Sequence, residues 1–287
     1  MKRRLGAFVA IVSVAILAAG CVGVRNATST PVERIASVHL SQLPPQSPPI
    51  RIALLSDIHV GNIGMTRERL SRIVRSVNAA KPDIVLLAGD FVIGESEEGT
   101  AERLQNLAPL ADIRAPRGVF AVLGNHDQWT DREAIQTHLT QAGVKVLENE
   151  AIKVGPITLV GLGDRFSSSD NIALAAARFK KLGGVPVAFS HSPDLAPDLP
   201  QNFHLLFAGH THCGQMVAPL IGPIIRYSRW RLLYNPRYRC GRIDEVNRTT
   251  FVTAGVGSGT VPLRFNAMPD WWLVELRRVP ERPRTTS

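Results

Sequence analysis

The sequence predicts an α/β fold, and three observations carry that expectation. Six short runs are apolar along their whole length: IALLS (52–56), IVLLAG (84–89), VFAVLG (119–124), ITLVGLG (157–163), VPVAFS (185–190) and HLLFAG (204–209). Strands covered on both faces read this way, because neither face is left for polar residues. Between the runs, apolar residues keep helical spacing, as Leu70, Ile73, Val74 and Val77 do, and as Ile135, His138, Leu139 and Ala142 do. Strands alternating with helices imply a sheet with helices packed on it. Composition is the third observation: 287 residues, 45% hydrophobic and 20% charged, with 3 Cys, suit one large or two small domains whose core needs no disulfide staples. Collagen-like, disordered and cysteine-framework proteins are excluded.

Taken in chain order, the first element precedes the fold. Lys2, Arg3 and Arg4 form a basic cluster, and residues 5–24 carry no charge. About 20 apolar residues suffice to span a bilayer. Ala18, Ala19 and Gly20 stand directly before Cys21, a pattern that resembles the lipobox of a bacterial lipoprotein signal peptide, with Ala18 where Leu is usual. Residues 1–24 therefore read either as a signal peptide ending at a lipidated Cys21 or as an uncleaved signal anchor. In both readings the cations hold the N-terminus in the cytoplasm and send the remainder across the membrane. The expected location is the cell membrane or outer membrane of a bacterium, with the folded domain on the extracytoplasmic side.

Residues 25–31 are small and polar and read as a linker. Val32, Ile35, Val38 and Leu40 suggest a strand, so the domain is expected over 32–287, with its core at about 50–275. LPPQSPP at 43–49 breaks the chain before the first apolar run. Thr66 and Asp131 are N-cap candidates for the two helical patterns. The balance of 33 Lys and Arg against 24 Asp and Glu gives +9, or +6 without the basic cluster. Such charge favours anionic partners, whether phosphates, nucleic acid or an acidic membrane surface, without choosing among them.

Where the apolar runs end, metal-ligand residues begin. Asp57 and His59 follow the first, Asp90 the second, Asn125, His126 and Asp127 the third, His191 the fifth, and His210 and His212 the sixth. Loops at strand ends converge while the strands hold them rigidly, which is where open α/β sheets bind ligands. Imidazole, carboxylate and amide oxygen without thiolate suit Mn, Fe or Zn. These candidates exceed the four ligands of a structural zinc, so two divalent ions are expected, with a carboxylate as the natural bridge.

The blocks DxH, GD, GNHD, a lone His and GHxH, in this order, resemble those of the calcineurin-like metallophosphoesterases over about residues 50–275. The wording around them, SDIHVG, PDIVLLAGDFV, GVFAVLGNHD, HSPD and GHTHCGQ, is most similar to the exported or membrane-anchored YkuE/YaeI-like phosphodiesterase branch. The resemblance implies a four-layer α/β/β/α sandwich with two mixed β-sheets. It implies that Asp57, His59, Asp90 and His212 hold one metal and that Asp90, Asn125, His191 and His210 hold the other, with Asp90 as bridge. His126 would be the proton donor to the phosphoryl or leaving-group oxygen, with Asp127 orienting its ring. Cys213 stands where the branch usually has Gly.

The expected function is a dinuclear metal-dependent phosphoesterase, cleaving phosphodiester or pyrophosphate bonds with a metal-activated hydroxide at the membrane. Its substrate would be a phosphoester or a lipid-linked phosphate. An alternative is a lipid A pathway pyrophosphatase acting on UDP-2,3-diacylglucosamine, against which stands the expected topology, since that nucleotide sugar is made in the cytosol. A second is a non-catalytic metal-binding envelope protein, which would have no need of a positioned acid. No separate nucleic-acid module is visible, so nucleic acid is not an expected partner.

Other residues invite plainer readings. His138 and His204 are expected to be structural, and His39 has no partner nearby in sequence. GVGSG at 255–259 lacks dinucleotide-loop spacing and reads as a tight turn. Arg264 and Phe265 match a pair in the same branch, which makes Arg264 a candidate phosphate contact. Arg226, Arg229, Arg231, Arg237, Arg239 and Arg242 interleave with Tyr227, Trp230, Tyr234 and Tyr238, either as a solvated loop or as a contact to substrate phosphate or bilayer headgroups. With Cys21 lipidated, Cys213 and Cys240 remain as a disulfide pair or as two buried thiols.

Overall fold

The structure, a computed structural model, describes residues 2–228 and 230–279, with backbone alone over 2–9. The side chains of Lys2, Arg3 and Arg4, and Arg229 altogether, lie outside the described residues. The chain opens with helix α1 (Lys2–Thr28), then β1 (Val32–Leu40), β2 (Ile50–Leu55), α2 (Arg67–Ala79) and β3 (Ile84–Ala88). There follow α3 (Thr100–Gln105), β4 (Val119–Val122), α4 (Asn125–Thr130), α5 (Arg132–Gln141), β5 (Lys145–Val146), β6 (Glu150–Val154) and β7 (Ile157–Leu162). The second half holds α6 (Ile172–Leu182), β8 (Val185–Ser190) and β9 (Leu205–Ala208), then the short hairpins β10 (Val217–Ala218) with β11 (Gly222–Pro223) and β12 (Tyr227–Ser228) with β13 (Arg231–Leu232). Strands β14 (Gly241–Asp244), β15 (Thr249–Val252) and β16 (Asp270–Arg278) complete the sheets.

Two six-stranded mixed sheets result, in the orders β1-β16-β2-β3-β4-β5 and β14-β15-β9-β8-β7-β6. Within them β2, β3, β4 and β5 run parallel, as do β7, β8, β9 and β15. Side chains alternate between faces along a strand. In β2, Ile52 and Leu54 join the core between the sheets, while Ala53 and Leu55 pack toward α2 and α5. In β9, Leu205 and Phe207 face that same central core, and Leu206 packs with α6 residues such as Ala175. Both faces of the central strands of each sheet are therefore buried, giving four layers in the order helix, sheet, sheet, helix. Thr66 caps α2 by accepting from Arg69 N at 3.2 Å, and Asp131 caps α5 by accepting from Ala134 N at 2.9 Å.

The expected linker at 25–31 differs: residues 25–28 continue α1. Gly23 and Ala27, four residues apart and thus on one helix face, are buried against the domain. Arg264 N donates to Gly23 O at 3.0 Å, and Asn26 Nδ2 to Arg264 O at 3.0 Å. Arg69 then donates to the carbonyls of Ala27, Thr28 and Ser29 at 2.9–3.3 Å. A guanidinium on the last carbonyls satisfies acceptors that every helix end leaves open.

Candidate metal centre

The carboxyl ends of β2, β3 and β4 meet those of β8 and β9. Asp57 N donates to Gly89 O at 2.9 Å and His59 N to Asp90 O at 3.0 Å, lacing the first two loops together. His210 N donates to Asp57 Oδ2 at 3.0 Å, which joins the second sheet to the first. The glycines at these ends are required by proximity. A Cβ on Gly124 would overlap the Asp90 carboxylate, and one on Gly209 would overlap Ser56 and Asp57.

The structure brings six of the seven proposed ligands into one cluster, and the seventh, Asn125, lines the same cavity as Asp90, His210 and His212. His59 Nε2 lies 3.5 Å from Asp90 Oδ2 and 3.2 Å from His212 Nε2. His191 Nε2 lies 3.3 Å from Asp90 Oδ2 and 3.2 Å from His210 Nδ1. His212 Nε2 is 3.3 Å from Asp57 Oδ1. Two triads, Asp57 with His59 and His212, and Asp57 with Asp90 and His191, each have ligand atoms within 4.8 Å of one another. They share Asp57, while Asp90 Oδ2 faces one imidazole from each. Asp57, His59, Asp90, His210 and His212 all have φ between 48° and 68°. Left-handed backbone costs a non-glycine residue about 1–2 kcal/mol, and strain of this kind collects at functional sites.

The donor set fits divalent cations. Asp57 Oδ1 and Asn125 Oδ1 are buried with no hydrogen-bond partner, a costly condition that a cation would relieve. The second nitrogens of two imidazoles are already held: His191 at Ala88 O, 2.7 Å, and His210 Nε2 at Leu233 O, 2.8 Å. That arrangement fixes each ring with its free nitrogen turned to the cluster. Burial pushes His59 down to about 3 and His210 down to about 4, and it holds His212 well below the usual imidazole range. These rings are neutral and keep a lone pair. Burial raises Asp57 to about 6 against the pull of His191. Burial acts upward on Asp90 too, but His191, His126 and His59 outweigh it and keep this carboxylate ionised. His191 responds in the opposite sense: burial acts downward, yet Asp90 and Asp57 raise it well above its ordinary value. Without a metal, then, an imidazolium at His191 supplies the positive charge beside Asp90.

His126 lines a cavity of about 250 Å³ together with Asp90, Asn125, His210 and His212. Its Nδ1 lies 2.8 Å from Gly94 O, and its backbone N donates to Asp90 Oδ1 at 2.9 Å. Asp127 does not orient that ring, contrary to the sequence expectation. Its carboxylate accepts four backbone N–H groups, from Asp90, Phe91, Val92 and Gly124, at 2.8–3.3 Å. Four such donors saturate both oxygens, so Asp127 fixes the Asp90 loop and Gly94 O fixes the His126 ring.

Arg264 is a second correction. It is fully buried and donates to the carbonyls of Ala254, Gly257 and Ala267 at 2.6–3.1 Å, with Nη2 3.2 Å from His212 Nδ1. No donor is left for a phosphate; the side chain braces the His212 loop and the GVGSG turn. That turn in turn packs on Asp57, with Gly257 N donating to Asp57 O at 2.8 Å. Cys213 and Cys240 form a disulfide with Cα atoms 4.7 Å apart, and Cys21 is free and exposed. Cys213 has φ 53°, the backbone region where glycine is usual. His204 donates its ring to Asn247 O at 2.8 Å, on the surface and away from the cluster.

Sequence reasoning missed Asp164. It is fully buried after β7, its Oδ1 has no partner, and its charge acts on His191 and His210. The signal was available, because Gly163 and Asp164 repeat the strand-Gly-Asp pattern of Gly89 and Asp90. Trp129 and Phe166, which wall the cavity beside His126, gave no such signal.

This chain is similar to known proteins over most of its length. Residues 50–214 match the sequence profile described as "Calcineurin-like phosphoesterase". "Phosphodiesterase YaeI" of Escherichia coli (strain K12) is 30% identical over 237 residues, covering 79% of this chain and 82% of its own. "Uncharacterized metallophosphoesterase YkuE" of Bacillus subtilis (strain 168) is 27% identical over 235 residues, covering 77% of this chain and 76% of its own. A "Transmembrane protein with metallophosphoesterase domain" of Danio rerio is 30% identical over 276 residues, covering 89% of this chain but 59% of its own, so the chain spans about three-fifths of that relative's length.

Proposed function

The chain belongs to the calcineurin-like phosphoesterase family, and from that premise we propose that it is a dinuclear phosphodiesterase held at a membrane by α1. As a member it is a hydrolase of phosphoester bonds using divalent metal. The observation that carries the dinuclear reading is the pair of buried, unpartnered oxygens, Asp57 Oδ1 and Asn125 Oδ1, within one cluster of imidazoles at a cavity floor. Asp57, His59 and His212 would hold one ion and Asn125, His191 and His210 the other, with Asp90, facing an imidazole of each set, placed to serve both. Bound divalent ions supply Lewis acidity, which acidifies water and neutralises phosphoryl charge.

The remaining work falls to the protein. Asp127 holds the Asp90 loop, and Arg264 holds the His212 loop, so the phosphoryl group meets ligands fixed in place. His126, held at Nδ1 by Gly94 O, has Nε2 free to deliver a proton to the leaving oxygen. The name of the Escherichia coli relative favours a diester over a monoester. Reconstituting the full-length chain with Mn²⁺ and assaying bis(p-nitrophenyl) phosphate tests the reading: two ions per chain and turnover are expected, and Asp90→Ala loses both. One ion or none, without turnover, overturns it.

A further inference from the structure

Between β9 and β14 the chain leaves the second sheet and carries the two short hairpins. The tip of each holds a large apolar residue in left-handed backbone: Leu220 and Trp230, both with φ 65° and both fully exposed. Turn positions of this kind ordinarily take Gly, Asn or Asp. Ile221, Ile224 and Tyr227 beside them are more than half exposed. Isolated surface apolar residues need no explanation, but a run of five on one excursion marks an interaction surface.

The same excursion contains an anion-binding corner. A pocket of about 330 Å³ is lined by Leu220, Ile221, Arg226, Leu232, Tyr234 and Arg239. Tyr234 is 94% buried (6% exposed) and its hydroxyl has no hydrogen-bond partner. Arg226 is tied back to Ile221 O and Pro223 O at 2.7 and 3.1 Å, which leaves its charge at the pocket. Two guanidiniums and a free phenol in an apolar hollow suit a phosphate that carries hydrocarbon.

Placement says what covers this surface. Val217 N donates to Phe265 O and Phe265 N to Gln215 O, while Arg264 N donates to Gly23 O. The base of the first hairpin and the docked end of α1 thus share the segment 263–265. Leu220, three residues from Val217, lies within about 10 Å of it along the chain. Upstream of Gly23, α1 is apolar and exposed, with Ile11, Val14, Ile16 and Leu17 all more than half accessible, and Ala10–Thr28 is long and apolar enough to cross a membrane. Because the helix docks on the domain without a flexible linker, a bilayer around α1 meets the domain at this face.

We propose that the 216–239 excursion is a second membrane contact, in which Leu220 and Trp230 enter the headgroup boundary and Arg226, Arg239 and Tyr234 receive the phosphate of an anionic phospholipid. The proposal rests on the membrane-anchored part of the function above. Tyr234 also lines the catalytic cavity, as do Ile225 and Tyr227, so the contact sets the mouth of that cavity at headgroup level.

The test reconstitutes the full-length chain into vesicles of phosphatidylcholine and phosphatidylglycerol with brominated acyl chains, and reads tryptophan fluorescence. Bromine is expected to quench the wild type and to quench Trp230→Phe clearly less: Trp271 and Trp272 are buried in the first sheet, and Trp129, in the cavity wall, is common to both proteins, so the difference reports Trp230. Quenching is expected to weaken in phosphatidylcholine alone, and in Arg226→Gln/Arg239→Gln with phosphatidylglycerol. Soluble glycerol phosphate should leave it unchanged; full competition would mean a free-phosphate site and overturn the lipid assignment. Co-flotation with vesicles but equal quenching in wild type and Trp230→Phe overturns this proposal alone. Failure to co-float overturns the anchoring reading and this contact with it.

Discussion

His126 and Asp127 are neighbours in sequence and do separate jobs in the fold. His126 touches the cavity, whereas Asp127 is spent on four backbone N–H groups. A proton donor contributes about 10²- to 10⁴-fold in rate and little stability. His126→Asn is therefore expected to keep both metals and the melting temperature while losing at least about a hundredfold in turnover on a diester with a poor leaving group. Metal loss in that variant, or full activity, would contradict the role. Arg264 makes the opposite case. Arg264→Met strands the carbonyls of Ala254, Gly257 and Ala267 in the interior, and unsatisfied buried acceptors cost about 1–3 kcal/mol each. Thermal denaturation should show a loss of about 3 kcal/mol or more, with KM for a small diester little changed at temperatures where the variant is folded. A raised KM at unchanged stability would instead restore Arg264 as a phosphate contact.

At the scale of elements, β2, β3, β4, β7, β8, β9 and the two capped helices were legible because their signals are local: whole-length apolar runs, helical spacing, and Thr66 or Asp131 ahead of it. The clustering of the proposed ligands was legible for the same reason, since each follows the end of a run. Partners set by distant chain segments were not. Nothing near Asp127 in sequence reveals that Phe91 and Val92 claim its oxygens, and nothing near Arg264 reveals the carbonyl of Ala254 or the ring of His212. The end of α1 belongs to this class, because the contacts that keep 25–28 helical come from Arg69 and Arg264. Gly23 tests that docking. A Cβ there would lie 2.8 Å from the Phe265 ring, whereas one at Gly20 meets nothing within 4 Å. Gly23→Leu is expected to raise hydrogen exchange over residues 24–28 while β2 and β3 keep their protection, and Gly20→Leu should leave both unchanged. Equal exchange in the two variants would mean that the helix end is not held by this contact.

Across the whole molecule, the cluster of proposed ligands is a joint between the two sheets, with Asp57 and Asp90 following strands of one and His191 and His210 following strands of the other. In the metal-free protein the joint is an ion pair, imidazolium at His191 against carboxylate at Asp90. A cation needs His191 neutral and Asp57 ionised, because ligands bind through lone pairs. Asp90 and Asp57 hold His191 well above its ordinary value, so metal entry displaces a proton from this ring. Asp57, raised to about 6, adds a second competing proton only as pH falls through that value. Metal affinity is therefore expected to drop as pH falls from about 7.5 to about 5.5, with more protons released per ion at the lower end. Calorimetric titration of Mn²⁺ in two buffers of different ionisation enthalpy measures the release. Stability follows the same direction, since an ion that binds the folded state at a hundred times its Kd adds about 2.7 kcal/mol, and chelation removes that clamp from both sheets at once. Proton release of zero across this whole range, or a melting temperature indifferent to chelation, would mean that His191 is not a ligand and that the sheets are joined by their apolar core alone.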